Sequence, residues 1–154
     1  MSEGAVAGLL DTNTVILLSR IDDPTTLPQE PAISTITLAE LSVGPLVART
    51  TSERAARQAH LQQAEADFDP LPFDAAAARA FGRVAANLRE SGRKPKASAY
   101  DALIASVAIA NGLPLYTVNP KDFAHIEGLV VVPIPHPDQT EPAVESLRGV
   151  EGGT

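Results

Sequence analysis

Three acidic residues stand where an α/β chain gathers its chemistry. Asp11 follows an apolar run, Glu40 lies in a helical segment after a second run, and Asp101 heads a late apolar helix. Asp122, in TVNPKDF, follows a further apolar segment and could join them. Mg²⁺ demands hard oxygen ligands, keeps several waters, and can activate a water while neutralising charge on a phosphate. Three or four carboxylates at one cleft therefore point to metal-assisted hydrolysis of a phosphodiester, with Mn²⁺ able to substitute. In an open parallel sheet such groups converge outside the carboxyl ends of the strands, so distance along the sequence is no obstacle.

Each acid also has a local explanation. Thr37-x-x-Glu40 and Ser98-x-x-Asp101 both match helix capping boxes, in which the acid only reaches back to a backbone N–H. Asp11 could be a turn residue bonded to its own loop, and Asp122 a surface turn acid after Pro120. What favours the functional reading is their shared address at one edge of the expected sheet. There, helix N-termini would direct partial positive charge toward Glu40 and Asp101 and hold both ionised. Arg93, Lys94 and Lys96 form a basic loop that could meet phosphates, or could be a solvated loop. Thr12 and Asn13 beside Asp11, and Thr117 and Asn119 beside a late strand, could position water or ribose; turn chemistry explains them equally well. His60, His125 and His136 show no metal-ligand spacing.

Among the elements that carry these residues, Val6–Leu10 reads as a strand buried on both faces. Ala32–Ile36 reads as a second strand, leading into a helix over TLAELSVGPLVA that is interrupted near Gly44-Pro45, with Glu40 in its first turn. TSERAARQAHLQQAEADF is helical, with Thr51 or Ser52 as its cap and Glu53 nearby. Phe68–Phe73 is a candidate short edge strand, and Asp74 caps a helix that stops near Gly92. Ser98 opens the helix AYDALIASVAIANG, closed by Gly112; Leu113–Thr117 and Leu129–Ile134 supply two more strands. Alternating strands and helices predict an α/β layered fold with a mostly parallel sheet.

At 154 residues the chain fits one domain, placed at residues 1–135, with the Pro-, Glu- and Gly-rich residues 136–154 expected to be a disordered tail. With no cysteine and three scattered histidines, disulfide frameworks and thiolate zinc sites are excluded, and a bound metal must be held by oxygen. The N-terminus lacks a basic segment followed by an apolar run, and no stretch is long enough to cross a bilayer, so a soluble, cytoplasmic protein without membrane contact is expected. The formal charge of −7 argues against a broad basic surface for nucleic acid, although several of the acids lie in the tail and a divalent cation would neutralise the clustered ones.

LLDTN, TITLAEL and YDALIASVAIANGLPLYTVNPKDF, in this order, resemble the PIN-domain ribonucleases, specifically the VapC-type toxins of VapBC toxin–antitoxin pairs. The resemblance runs up to about Pro135. It implies a four- or five-stranded, mostly parallel sheet flanked by helices in three α/β/α layers. It also implies a Mg²⁺-dependent endoribonuclease acting on tRNA or rRNA, a homodimer, and a VapB-type antitoxin whose C-terminal segment covers the active-site groove. Asp11, Glu40 and Asp101 match the family's acids and become the implied metal ligands, Glu40 directly or through water. At the fourth position many relatives carry aspartate where this chain has Asn119, with Asp122 matching a further aspartate before the Phe. Asn119 could orient a metal-bound water, while Asp122 could contact the metal through water or hold the loop. The alanine-rich helices after Thr51 and Asp74 offer apolar surface for the dimer or the antitoxin.

The rival from another class is a non-catalytic binding module that keeps a PIN-like fold and uses its groove only for a protein partner. A receiver domain would need a second acid beside the first acceptor strand and a late lysine, neither of which is evident. A haloacid-type phosphatase would need a second aspartate two positions after Asp11, where Asn13 stands.

Overall fold

The computed structural model describes residues 6–92 and 99–139. Its elements run β1 (Ala7–Leu10), α1 (Thr12–Ile16), β2 (Glu30–Ala32), α2 (Thr35–Val43), α3 (Thr51–Asp67), α4 (Ala75–Glu90), α5 (Ala99–Ala110), β3 (Leu115–Thr117) and β4 (Val131–Pro133). All strand pairs are parallel and the order is β2-β1-β3-β4. The expected α/β fold with a four-stranded parallel sheet is thus observed. Because β1 connects outward to β2 on one side and borders β3 on the other, the order reverses between β1 and β3. A crevice opens at such a switch point, at the carboxyl ends of the two strands.

Alternate residues of β1 and β3 feed two separate cores. Leu9 and Leu115 pack on one face with Ala77 and Val84 of α4 and Ile104 and Val107 of α5. Leu10 and Tyr116 pack on the other with Ile33, Leu41 of α2 and Ala64 of α3. That is the three-layer arrangement, and it explains why these short strands are apolar without alternation. Gly8 has a steric reason: a Cβ there would come within 2.5 Å of the Tyr116 ring.

Helix starts follow local hydrogen-bond chemistry. Ser34 caps α2 through Thr37 N–H at 3.2 Å, Thr50 caps α3 through Glu53 N–H at 3.0 Å, and Asp74 caps α4 through Ala77 N–H at 3.0 Å. Gly92 and Gly112, at φ 67° and 64°, follow α4 and α5 in the left-handed conformation that ends helices. Pro45, which cannot continue an α-helix, sits in the 3₁₀ turn Gly44–Val47 where α2 breaks.

Several boundaries differ from the sequence expectation. The second strand is Glu30–Ala32 rather than Ala32–Ile36, because Ser34 takes the cap and the backbone is helical from Thr35. The cap of α3 is Thr50, not Thr51 or Ser52. Phe68–Phe73 contributes a single bridge, Leu71 to Ser34, rather than a strand. The five-residue α1, with Asp11 as its cap, has no counterpart in the sequence reading. The basic loop residues Arg93, Lys94 and Lys96 and the Ser98 cap lie outside the described residues, as does 140–154 of the expected tail. Residues Pro137–Gln139 form a 3₁₀ turn, and Asp138 pairs with Arg20. No described helix is long and apolar enough to cross a membrane.

Candidate metal-binding active site

The crevice at the switch point is built around Asp11. This residue leaves β1 in an extended conformation, is 3% exposed, and caps α1. Its Oδ1 accepts the Thr14 hydroxyl and, at 3.4 Å, the Thr14 N–H. Its Oδ2 accepts the hydroxyl of Thr117, the last residue of β3, at 3.0 Å. A local turn accounts for the first oxygen but not the second, whose partner is 106 positions away. Burial raises the Asp11 carboxyl above its ordinary range, against the opposing pull of the Thr14 and Thr117 hydrogen bonds.

Glu40 is fixed by a second threonine pair. The Thr12 hydroxyl donates to Glu40 Oε1 at 2.6 Å and lies 3.0 Å from Thr37 Oγ1. A hydroxyl has one proton, so with Thr12 donating to Glu40 it is Thr37 that donates to Thr12. The capping box Thr37-x-x-Glu40 is therefore not formed: Ser34 holds the cap, and Glu40 lies beyond the first turn of α2. Its carboxyl is raised by burial and by the Asp11 charge, with the Thr12 bond opposing.

Asp101 sits in the first turn of α5 and is pushed up to about 7, by burial first and then by Asp122, Asp11 and Glu40. Both carboxyls are thus raised, against the expectation that helix N-termini favour the charged forms of Glu40 and Asp101. Desolvation and like charge outweigh a dipole effect that is small at a helix end. Those same interactions bring all four acids together electrostatically. Asp122 lies exposed in the 3₁₀ turn Pro120–Phe123, which is anchored by buried Phe123. Half-buried Asn119 opens that turn; its N–H donates to Thr117 Oγ1 at 2.9 Å and its carbonyl accepts Asp122 N–H at 3.1 Å.

The donor set is carboxylate, hydroxyl and amide oxygen, which suits a hard divalent cation. Mutual repulsion among four carboxylates is the kind of cost a cation relieves. Among the described residues, no three acidic or imidazole side chains already stand as a closed ligand cluster. The oxygens of Asp11 and Oε1 of Glu40 are instead engaged by threonine hydroxyls.

The family model of the PIN domain matches residues 8–129, a span that holds every residue of this crevice. The chain belongs to the PIN-domain family. It is 41% identical over 136 residues to Ribonuclease VapC5 of Mycobacterium tuberculosis, covering 87% of this chain and 98% of that relative. Its structure is similar to that of VapBC-5, a member of the VapBC family of toxin–antitoxin systems from the same organism. The TM-score is 0.74 at 38% identity, over 84% of this chain and 99% of that one. It also resembles VapBC2 from Rickettsia felis, solved bound to a DNA fragment from their promoter, with a TM-score of 0.65 at 26% identity over 82% and 97% of the two chains.

Within this PIN domain, sequence reasoning found the acids and singled out Thr12 and Thr117 for water or ribose, but missed that threonines hold the acids. Thr14, Thr37 and Thr117 are fully buried hydroxyls, and Thr12 bridges two elements. The available signal was polarity in the wrong place: Thr14 within an apolar segment, and Thr117 ending the apolar run that becomes β3. A buried hydroxyl needs a partner, and the carboxylates supply it.

Proposed function

We propose that the chain is a Mg²⁺- or Mn²⁺-dependent endoribonuclease, the toxin of a toxin–antitoxin pair, with Asp11, Glu40 and Asp101 as metal-binding carboxylates. The observation that carries the reading is the convergence of these acids with Asp122 at the β1–β3 switch point, where burial and then the charges of the other three raise Asp101 to about 7. The relative named a ribonuclease and the toxin–antitoxin structures support the activity and the partner class. In this reading residues 1–135 form the nuclease domain, the protein works in the cytoplasm, and its partners are an RNA substrate, a cognate antitoxin and a second copy of the chain. Val43, Leu46 and Val47, exposed apolar residues around the turn after α2, are candidate partner contacts.

The side chains divide the work. Asp11 is presented in a fixed orientation by two hydroxyls, and Glu40 is aimed by Thr12. Asp101, its carboxyl raised to about 7, would hold a cation in its deprotonated form. Asn119 and Asp122, on their anchored turn, orient water or substrate at the open side. A bound divalent cation would supply charge neutralisation at the phosphate and a lowered pKa for water.

The test is cleavage of total cellular RNA by antitoxin-free protein in Mg²⁺, Mn²⁺ or EDTA, with Asp11→Asn as control. Discrete metal-dependent fragments absent from the variant are expected. No cleavage by folded protein under either metal would refute the assignment and leave a binding module.

A further inference from the structure

The two hydroxyls on Asp11 do more than donate. The Thr14 oxygen accepts the backbone N–H of Val118 at 3.1 Å, and the Thr117 oxygen accepts that of Asn119 at 2.9 Å. Two backbone donors of the segment leaving β3 are thus relayed, each through one threonine, to the two oxygens of one carboxylate. The same segment continues into the 3₁₀ turn that carries Asn119 and Asp122. Thr117 belongs to that strand and moves with it. Thr14 does not: it stands in α1, more than a hundred positions from Val118, and its buried hydroxyl adds a second cross-link between the two sides of the crevice, beside the bond from Thr117 to Asp11.

We infer that Thr14 is a positioning residue that locks Asp11 to the Val118–Asp122 segment, so that the acid from β1 and the polar groups after β3 are set as one unit. This rests on the metal-site reading above. Threonine is needed for its hydroxyl, which is at once donor to the carboxylate and acceptor from Val118; valine fills the same volume and does neither. The helix cap alone does not require it, since Asp11 also receives the Thr14 backbone N–H. With the hydroxyl removed, Val118 N–H loses its acceptor and Asp11 keeps only one hydroxyl donor. Partners that orient a metal-binding group typically contribute about 10- to 100-fold in metal affinity.

The experiment compares wild type with Thr14→Val and Thr14→Ser, reading two quantities without RNA. These are the hydrogen exchange rate of the Val118 amide in EDTA and Mn²⁺ affinity by electron paramagnetic resonance. Thr117→Val, which breaks the other half of the relay, replaces Thr14→Val if that variant does not fold, with Asn119 as its reporter amide and Thr117→Ser as its rescue. The expected result is Val118 exchange faster by about tenfold and Mn²⁺ binding weaker by about tenfold. The amides of Leu115 and Tyr116 should be unchanged, and serine should restore both quantities. Unchanged Val118 exchange in folded Thr14→Val, or failure of serine to restore it, overturns the lock. A changed Val118 exchange with unchanged Mn²⁺ affinity overturns its positioning role. Absence of Mn²⁺ binding in wild type overturns that role too, and is distinguishable because it strikes the metal-site reading itself while the exchange difference persists.

Discussion

The two sides of the crevice solve the same electrostatic problem in opposite ways. On the side of β1 and α2, Asp11 and Glu40 are buried or half-buried, and each is tied to threonine hydroxyls that favour the charged form. On the side of α5 and the turn after β3, the Asp101 carboxyl takes no hydrogen bond from a described residue, and Asp122 is exposed. One side uses its hydrogen bonds for orientation; the other leaves Asp101 with a raised carboxyl and Asp122 open to solvent. Pre-organisation and charge release are therefore assigned to different residues.

The sharpest break of that comparison is a pair of isosteric amides. Asp11→Asn and Asp101→Asn should each lower cleavage by on the order of a thousandfold or more, given the several kcal/mol a metal contributes. Their metal-free stabilities should diverge. Asp101→Asn removes a repelled, desolvated carboxyl and should raise the melting temperature in EDTA by a few degrees, about 2–4 °C per kcal/mol gained. Asp11→Asn disturbs two hydroxyl donors and should lower it. Thermal melts of the two variants in EDTA check the sign; a fall in both would erase the distinction.

Thr12→Val should come next, weakening Mn²⁺ binding about tenfold while costing about 1 kcal/mol of stability, measured by titration and urea unfolding.

The pH dependence follows from the raised carboxyl of Asp101. Its folded value of about 7 lies above the ordinary aspartate value of 3.8, so between the two the folded state holds the proton more tightly than the unfolded chain. The stability this contributes is complete below the lower value and lost as pH rises through the upper one. Melting temperature in EDTA should therefore fall from about pH 4 to 7 and level off above that for wild type, and stay flatter for Asp101→Asn. Mn²⁺ affinity should climb across the same interval, because the cation binds the deprotonated form. The smallest effect is expected from Asp122→Asn, which removes the neighbouring charge that contributes most to the shift after burial. It should move the midpoint of the EDTA melting profile to lower pH with the fold intact.

What the sequence disclosed and what it withheld divide along similar lines. Long amphipathic or apolar helices with local caps, such as Asp74 before α4, are written in contiguous residues and were legible. So were the acids, because a place after an apolar run, or at the head of an apolar helix as for Asp101, is also local. The starts of β2 and α2 were misplaced because Ser34, rather than Thr37, takes the first helical N–H, a choice that depends on the bridge from Ser34 to Leu71. α1 escaped notice because five residues show too little periodicity. The threonine partners escaped because Thr12–Glu40 and Asp11–Thr117 span 28 and 106 positions, and no local pattern reports such pairings.

The strand order has a consequence in time as well as in space. β1 is made before the other elements of this domain, yet it is sandwiched between β2 and β3, and β3 follows α5. At ordinary rates of translation Asp11 emerges roughly 5–20 s before Thr117, 106 positions later. Until β3 arrives, the nascent chain carries its first acid without the hydroxyl from β3, without the Val118 N–H behind Thr14, and with one flank of β1 unpaired. A chain cut anywhere before Thr117 is in the same condition. The crevice is therefore a late product of synthesis, and a ribosome that stalls midway releases a fragment in which the four acids never meet.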